Sequence, residues 1–149
     1  MHHQLIRHGQ GSRTWSIVLD AGDEVNSCLQ DFARREVLSA TSFTATGSLH
    51  HAVLGYFESE KHSYRRDVLE QPMQIVSLVG DIALHNSRPR IHMRAMLGGS
   101  DGTTVDGHLL EGRVKSRMEI VMTEASVRLH KEYDADAGLA LFKQGGSEL

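Results

Sequence analysis

One segment of the chain has the hydrophobic spacing of a one-faced helix. Within AGDEVNSCLQDFARREVL the apolar side chains recur every three or four residues, at Val25, Cys28, Leu29, Phe32 and Ala33. This spacing places them on one stripe of an α-helix. Asp23 is a candidate N-cap, and Glu24 suits the positive end of the helix dipole. Because no later segment fits the pattern as well, the sequence predicts one main helix.

The remaining hydrophobic pattern is typical of β-strands. Apolar runs or alternations of strand length occur in TWSIVL, SFTATG, HAVLGYF, PMQIVSLVGDIAL, TVDGHLLEGRV, RMEIVMTEA and GLALF. Many of these residues are β-branched or aromatic, and clusters such as NSRP and GGSDG separate the runs as turns. One helix and many strands joined by turns predict an α+β fold, a mostly antiparallel sheet with one main helix packed on it.

The stretch RIHMRAML shows the most regular alternation. Its odd-numbered positions, from Ile91 to Leu97, are apolar, and the even-numbered positions between them include His92 and Arg94. Successive side chains of a strand point to opposite faces of a sheet. The apolar face belongs against the core, so we expect His92 and Arg94 to project from the other side.

Length and composition restrict the class of protein. A chain of 149 residues with 40% hydrophobic and 23% charged residues is typical of one soluble globular domain. We expect a single domain over residues 1–149, with its core over about 13–142 and mobile ends. No apolar run approaches the roughly 20 residues that cross a bilayer, and the first dozen residues lack the apolar segment of a signal peptide. We therefore expect a cytoplasmic protein without membrane contact.

The cysteine count and the charge exclude further classes. With Cys28 as its single cysteine, the chain forms neither an internal disulfide framework nor a cysteine-rich zinc module. The net charge of −3 argues against a nucleic-acid binder with a basic surface. The Arg-Pro-Arg of SRPRI lacks the central glycine of an AT-hook, and we interpret it as a strand entry marked by proline.

Candidate chemistry concentrates in PRIHMRAMLGGSDGTTVDGHLLEG. This stretch places His92 and His108 on either side of a Gly/Asp/Ser/Thr turn, and imidazoles are common metal ligands. The residue that would complete a His-x-His pair is Arg94, whose guanidinium is always cationic and has no lone pair for a metal. The stretch therefore has the pattern of a metal site in which a positive charge replaces one ligand.

The order of motifs along the chain resembles the PPC domain of plants and prokaryotes, in its free-standing prokaryotic form. The motifs are LDAGDEV, LQDFARRE, SATSFTATGSL, LGYF, VSLVGDIAL, RPRIHMRAMLGGSDGTTVDGHLLEG and MEIVMTE, and the match extends from about Arg13 to Phe142. The resemblance implies a single helix against an antiparallel sheet, a homotrimer, and an association with DNA or transcription. The implied fold is also similar to that of acetolactate decarboxylase, a zinc enzyme.

Many prokaryotic relatives have a His-x-His pair followed by Gly-Gly-His-Leu, and this sequence departs from that pattern. Carried across by position, His92 is the first histidine, Arg94 replaces the second, and His108 is the third. Asp106 and Gly107 stand where the resemblance implies two glycines. Gln74 also replaces an expected glutamate, and Arg117 an expected threonine. The scaffold matches, while the polar positions have lost negative charge and gained positive charge.

Three interpretations of this site follow. In the first, His92, Arg94 and His108, with Gln74 nearby, form a small-anion pocket of a non-enzymatic binding or assembly module that needs no cofactor. In the second, His92, His108 and Asp106 hold zinc or another divalent ion in a metal-dependent lyase or hydrolase. In the third, Arg94 pairs with an acid such as Asp106 or Glu119 and binds nothing. We favour a protein that is not an enzyme, without excluding the second interpretation.

The apolar strands also predict self-association. HAVLGYF and VSLVGDIAL carry more apolar surface than one helix can cover, because a sheet has two faces. Oligomerisation would cover the remainder, which agrees with the homotrimer that the resemblance implies.

Overall fold

The structure is a computed structural model that describes residues 1–9, 11–125 and 131–143. Its elements in chain order are β1 (His2–Gly9), β2 (Ser12–Asp20), α1 (Val25–Glu36), β3 (Thr41–Glu58), β4 (Ser63–Leu69), β5 (Met73–His85), β6 (Arg88–Gly98), β7 (Thr104–Glu124), β8 (Lys131–Asp134) and β9 (Leu139–Phe142). The predicted mobile C-terminal tail lies outside the described residues from position 144 onward.

Seven strands form one sheet in the order β1-β2-β7-β6-β5-β3-β4, with every neighbouring pair antiparallel. A further pairing of β3 with β7 closes β7, β6, β5 and β3 into a ring. Strands β8 and β9 form a separate hairpin. The predicted mostly antiparallel sheet with one main helix is confirmed within the described residues. The helix has only 12 residues, so the fold is mostly β rather than a balanced α+β fold.

The helix begins one residue later than predicted. Glu24, and not Asp23, is the N-cap: its carboxylate accepts hydrogen bonds from the backbone N–H groups of Asn26 and Ser27, at 3.2 and 2.9 Å. The same carboxylate accepts from the backbone N–H of Gly112 on β7, at 2.9 Å. The Asp23 carboxylate instead accepts from the backbone N–H of Asp20. Glu24 therefore caps the helix and fixes it to the sheet at the same time.

The predicted faces of the helix and of β6 are confirmed. Val25, Leu29, Phe32 and Ala33 are buried on the helix, and Met93, Ala95 and Leu97 are buried on β6 in the same core cluster. Arg94 and Met96, which alternate with the β6 core residues, are exposed. The even-numbered side chains of β6 therefore lie on the sheet face away from this core.

Five strands differ from the hydrophobic pattern, and one of them is β8, in which Lys131 is the one buried residue and no apolar alternation occurs. The first residues, which we expected to be mobile, form β1 and pair with β2. Strands β1 and β4 have almost no buried side chains, so no apolar alternation marks them in the sequence. Strands β3 and β7, with 18 and 21 residues, each join two segments that we predicted as separate strands. Among the described residues, no helix is long and apolar enough to cross a membrane.

The C-terminus of the helix yields a stability prediction. Val37 adopts a left-handed conformation, with φ 55° and ψ 48°, and its side chain is 77% exposed. The N–H of Leu38 donates to the carbonyl of Ala33 at 3.0 Å, which closes the helix end. A β-branched residue is strained in this conformation, whereas glycine adopts it freely. We expect Val37→Gly to raise the free energy of unfolding by about 0.5–1 kcal/mol.

Urea denaturation of a series at this position tests the prediction. Val37→Asn should also stabilise the fold, because asparagine tolerates the left-handed region, while Val37→Ala should have a smaller effect. A Val37→Gly protein less stable than the unmodified chain would contradict the assignment of strain to this residue.

Candidate functional site

A cavity of about 500 Å³ lies between strands β6 and β7 and the β8–β9 hairpin. Its walls are largely apolar and include Ile91, Leu109 and Leu139. The polar or charged side chains in its lining are Tyr64, His85, Arg90, His92, His108, Lys131 and Tyr133. We call this space the hairpin cavity. Its size is that of a small-molecule pocket, for which about 300–1,000 Å³ is usual.

The structure brings together the two histidines that the sequence singled out. His108 on β7 lies opposite Arg94 of β6 in the ladder, and His92 projects from the same face of β6 two residues earlier. The ring centroids of His92 and His108 are 4.6 Å apart, at an interplanar angle of 64°. Nε2 of His92 is buried and has no hydrogen-bond partner among the described residues. The pair therefore includes one buried imidazole nitrogen whose hydrogen bond is not made within this part of the chain.

Tyr64, which the sequence did not indicate, contacts the second histidine. Its hydroxyl lies 3.2 Å from Nδ1 of His108. Its ring lies over Gly55, which is the β3 partner of His108 in the ladder, and a Cβ on Gly55 would come within 2.4 Å of that ring. Burial, followed by the electrostatic effects of His92, Arg94 and Lys131, lowers the pKa of His108. This histidine is therefore held as a neutral imidazole near neutral pH.

An ion pair fixes the hairpin to the sheet next to His92. Nζ of Lys131 lies 2.5 Å from Oδ1 of Asp81, and Nδ1 of His92 lies 3.6 Å from Oδ2 of the same carboxylate. The Lys131 side chain is only 5% exposed. Burial raises the pKa of Asp81, but hydrogen bonds from His92 and Lys131 outweigh it and lower the pKa overall. Asp81 is thus ionised, and its carboxylate lies between the Lys131 ammonium and the His92 imidazole.

In the structure, Arg94 is paired with Asp106 and does not line the cavity with the two histidines. Nη2 of Arg94 lies 2.7 Å from Oδ2 of Asp106, and the two side chains are 49% and 53% exposed. Neither residue lines the hairpin cavity. This geometry corresponds to the third interpretation for Arg94, pairing with an acid. The arginine that lines the cavity is instead Arg90, an exposed residue that has no carboxylate within 4.0 Å in the described part of the chain.

Gln74 does not join the site. It lies near the start of β5, opposite Gly98 of β6, whereas Asp81 lies opposite His92 much further along the same pair of strands. The Gln74 side chain is exposed and is not part of the cavity wall. Of the predicted ligand-binding residues, His92 and His108 therefore meet at the cavity, while Arg94 and Gln74 lie outside it.

The donor set does not fit zinc or another divalent ion. Asp106, the predicted third ligand, is held by Arg94, and an ammonium and a guanidinium lie close to the two imidazoles. No group of three His, Cys, Asp or Glu side chains suited to a metal occurs within residues 1–9, 11–125 and 131–143. Asp81 is paired with Lys131 and Asp106 with Arg94, so the two imidazoles lack the free carboxylate that would serve as third ligand and counter-charge for such an ion.

A mostly antiparallel β domain with one capped helix and a histidine-bearing cavity defines the class of this protein. The chain matches the model of the Plants and Prokaryotes Conserved (PCC) domain over residues 6–126. It belongs to that family, as its motifs indicated. No curated protein matches it significantly.

Solved structures agree with the family assignment. A plant- and prokaryote-conserved (PPC) protein from Pyrococcus horikoshii is 26% identical, with a TM-score of 0.80 over 96% of this chain and 95% of that one. A metal-containing protein from Archaeoglobus fulgidus is 25% identical, with a TM-score of 0.80 over 96% and 97%. A "putative dna binding protein" from Bacteroides thetaiotaomicron is 23% identical, with a TM-score of 0.82 over 95% and 96%.

The similarity to acetolactate decarboxylase is weaker. A Staphylococcus aureus protein described as similar to that enzyme has a TM-score of 0.50 at 11% identity, over 73% of this chain and 50% of that one. This likeness concerns the fold alone.

Proposed function

We propose that the protein is a non-enzymatic binding and assembly module whose hairpin cavity holds a small organic anion. The observation that carries the proposal is the position of Arg90, a guanidinium without a carboxylate partner among the described residues, in the wall of a largely apolar cavity. A guanidinium offers a planar fork of donors that suits a carboxylate. The ligand class that fits is an organic anion with a short apolar chain, of which a carboxylate is the simplest example.

His92 is the neighbouring group that would also contact an anion. Arg90 and His92 project from the same face of β6, about 7 Å apart along the strand, while the positive charge of Lys131 is neutralised by its ion pair with Asp81. Nε2 of His92 has no hydrogen-bond partner among the residues that the structure describes, and in the form that carries a proton on this nitrogen it would donate a hydrogen bond to the ligand. Apolar side chains such as Ile91 and Leu139 would surround the chain of the ligand.

The second interpretation, a metal-dependent lyase or hydrolase, has less support. It requires a bound ion as Lewis acid, and the residues around His92 and His108 do not fit one. The relative from Archaeoglobus fulgidus is described as metal-containing, but this chain has Arg94 where the family pattern implies a histidine. We therefore derive no reaction for the site.

The assembly part of the proposal is a homotrimer formed through the outer face of the sheet. Val79 lies opposite Arg94 on one side and Thr44 on the other, and Val121 also lies opposite Thr44. Both valines and Met96 are exposed. An apolar patch of this kind on a sheet face is typical of a surface that a second copy covers.

Association with DNA and a cytoplasmic location are proposals that rest on family membership and on the sequence. A relative is described as a putative DNA-binding protein, while this chain has a net charge of −3. DNA contacts through lysine and arginine would make binding fall steeply with salt.

Calorimetric titration with octanoate tests the cavity. We expect octanoate to bind with 1:1 stoichiometry per chain, and Arg90→Ala to weaken binding about tenfold or more, because a charge-assisted hydrogen bond contributes about 1.5–3 kcal/mol. Octanol, which has the same chain without the charge, should bind more weakly than octanoate. Arg7→Ala, at an exposed arginine on β1, is the matched control. Equal affinities of the unmodified and Arg90→Ala proteins for octanoate would contradict the proposal.

A further inference from the structure

A second cavity, of about 820 Å³, adjoins the hairpin cavity at the β5–β6 turn. Its lining residues are Gln30, Arg34, His85, Asn86, Arg88, Pro89 and Arg90. We call it the arginine groove. His85 and Arg90 line both spaces, so the groove continues from the charged wall of the hairpin cavity.

The β5–β6 turn fixes the backbone position of the arginine that follows it. Asn86 and Ser87 both have positive φ, at 52° and 61°, and form the two-residue turn that joins β5 to β6. Two left-handed residues make the tight type of turn in which the next residue starts the strand directly, and that residue is Arg88. The Gln30 side chain donates to the carbonyl of Pro89 at 2.9 Å and holds the turn against the helix.

Three arginines line this groove, and two of them have no carboxylate neighbour among the described residues. Arg88 and Arg90 have no carboxylate within 4.0 Å in the part of the chain that the structure describes, while Arg34 has one at 3.8 Å, its exposed helix neighbour Asp31. Arg34 lies one helical turn beyond Gln30 and so shares its face of the helix. The chain as a whole is acidic. Three arginines that line one space make it favourable for an anion.

We propose that the ligand of the hairpin cavity is an organic phosphate, with its phosphate group between Arg90 and Arg88 and its apolar part in the hairpin cavity. The inference rests on the proposed function, because both use Arg90. A carboxylate offers two oxygens and one charge, which a single guanidinium satisfies. A phosphate monoester offers more oxygens and nearly two charges at neutral pH, which is the reason for a second arginine at the adjoining wall.

The test compares octyl phosphate with octanoate on the unmodified protein and on Arg88→Ala. We expect octyl phosphate to bind the unmodified protein at least tenfold more tightly than octanoate. Arg88→Ala should weaken octyl phosphate binding about tenfold or more and change octanoate binding less than twofold, since only the phosphate reaches Arg88. Arg7→Ala should change neither, and circular dichroism checks that each variant is folded.

Each of the other outcomes would contradict the organic-phosphate inference, the proposed function, or both. If octanoate binds but octyl phosphate is no tighter and does not depend on Arg88, the organic-phosphate inference is wrong and the carboxylate proposal stands. If neither compound binds, the proposed function fails as well. If a 20-base-pair DNA duplex at 0.15 M salt binds through Arg88 while octyl phosphate does not, the groove recognises a nucleic-acid backbone and the inference is overturned.

Discussion

Replacing Gly47 with alanine is expected to lower the free energy of unfolding by about 3 kcal/mol or more. Gly47 lies in β3, where the pairing with β7 shifts register, and has φ 145°. A Cβ at this position would lie 2.4 Å from the carbonyl oxygen of Arg117 and 2.8 Å from Cα of Met118. Both are backbone atoms, so no side-chain rotation relieves the contact. Relief requires β3 and β7 to separate, and their pairing closes the ring of strands.

Chemical denaturation of two further alanine variants distinguishes backbone strain from steric contact as the cause of the lost stability. Gly102 has φ 82° but no atom within 4 Å of a Cβ, so Gly102→Ala measures backbone strain alone and should cost about 1 kcal/mol. Gly9 has neither a positive φ nor a close contact, and Gly9→Ala should be neutral. A Gly47→Ala protein as stable as Gly102→Ala would show that the close approach of β3 and β7 is not required.

Replacing Val79 with lysine is expected to convert the proposed trimer into a monomer. Val79 is 52% exposed on the outer face of β5, with Arg94 beside it in the ladder. In a trimer through this face, each copy would bury an ammonium next to a guanidinium, and burial of an unpaired charge costs several kcal/mol. Each of the three interfaces of the trimer would bear this cost, which is a large fraction of the free energy of a typical interface.

Sedimentation equilibrium measures this result directly. We expect the unmodified protein at three times the chain mass of 16.5 kDa and Val79→Lys near the chain mass, with its circular dichroism unchanged. Val37→Lys changes an exposed valine at the helix end and should leave the trimer intact. An unmodified protein that sediments as a monomer at micromolar concentration would contradict the proposed assembly.

The sequence predicted the faces of the elements better than the contacts between them. The alternation of RIHMRAML placed Met93 and Arg94 on opposite sides of β6, because the period of a strand is a local property. It could not distinguish Arg90 from Arg94, since both occupy the same face. Which of them borders the cavity depends on where the β8–β9 hairpin covers the sheet, and which meets Asp106 depends on the β6–β7 register.

The Asp81–Lys131 ion pair could not be found from spacing. The two residues are far apart in the chain and belong to different sheets. The one signal was the carboxylate in the apolar run VSLVGDIAL, because a charge in such a strand needs a partner. Strands β1 and β4 had no signal of their own, since their order comes from ladder hydrogen bonds to β2 and β3 rather than from burial.

The most direct measurement of the central claim is a crystal structure grown with 8-bromooctanoate, with diffraction recorded at the bromine and zinc absorption edges. We expect a bromine peak among the apolar walls of the hairpin cavity, near Leu139, with the carboxylate at the guanidinium of Arg90. We expect no zinc peak between His92 and His108. A zinc peak there, or a bromine peak only outside the cavity, would contradict a metal-free anion site.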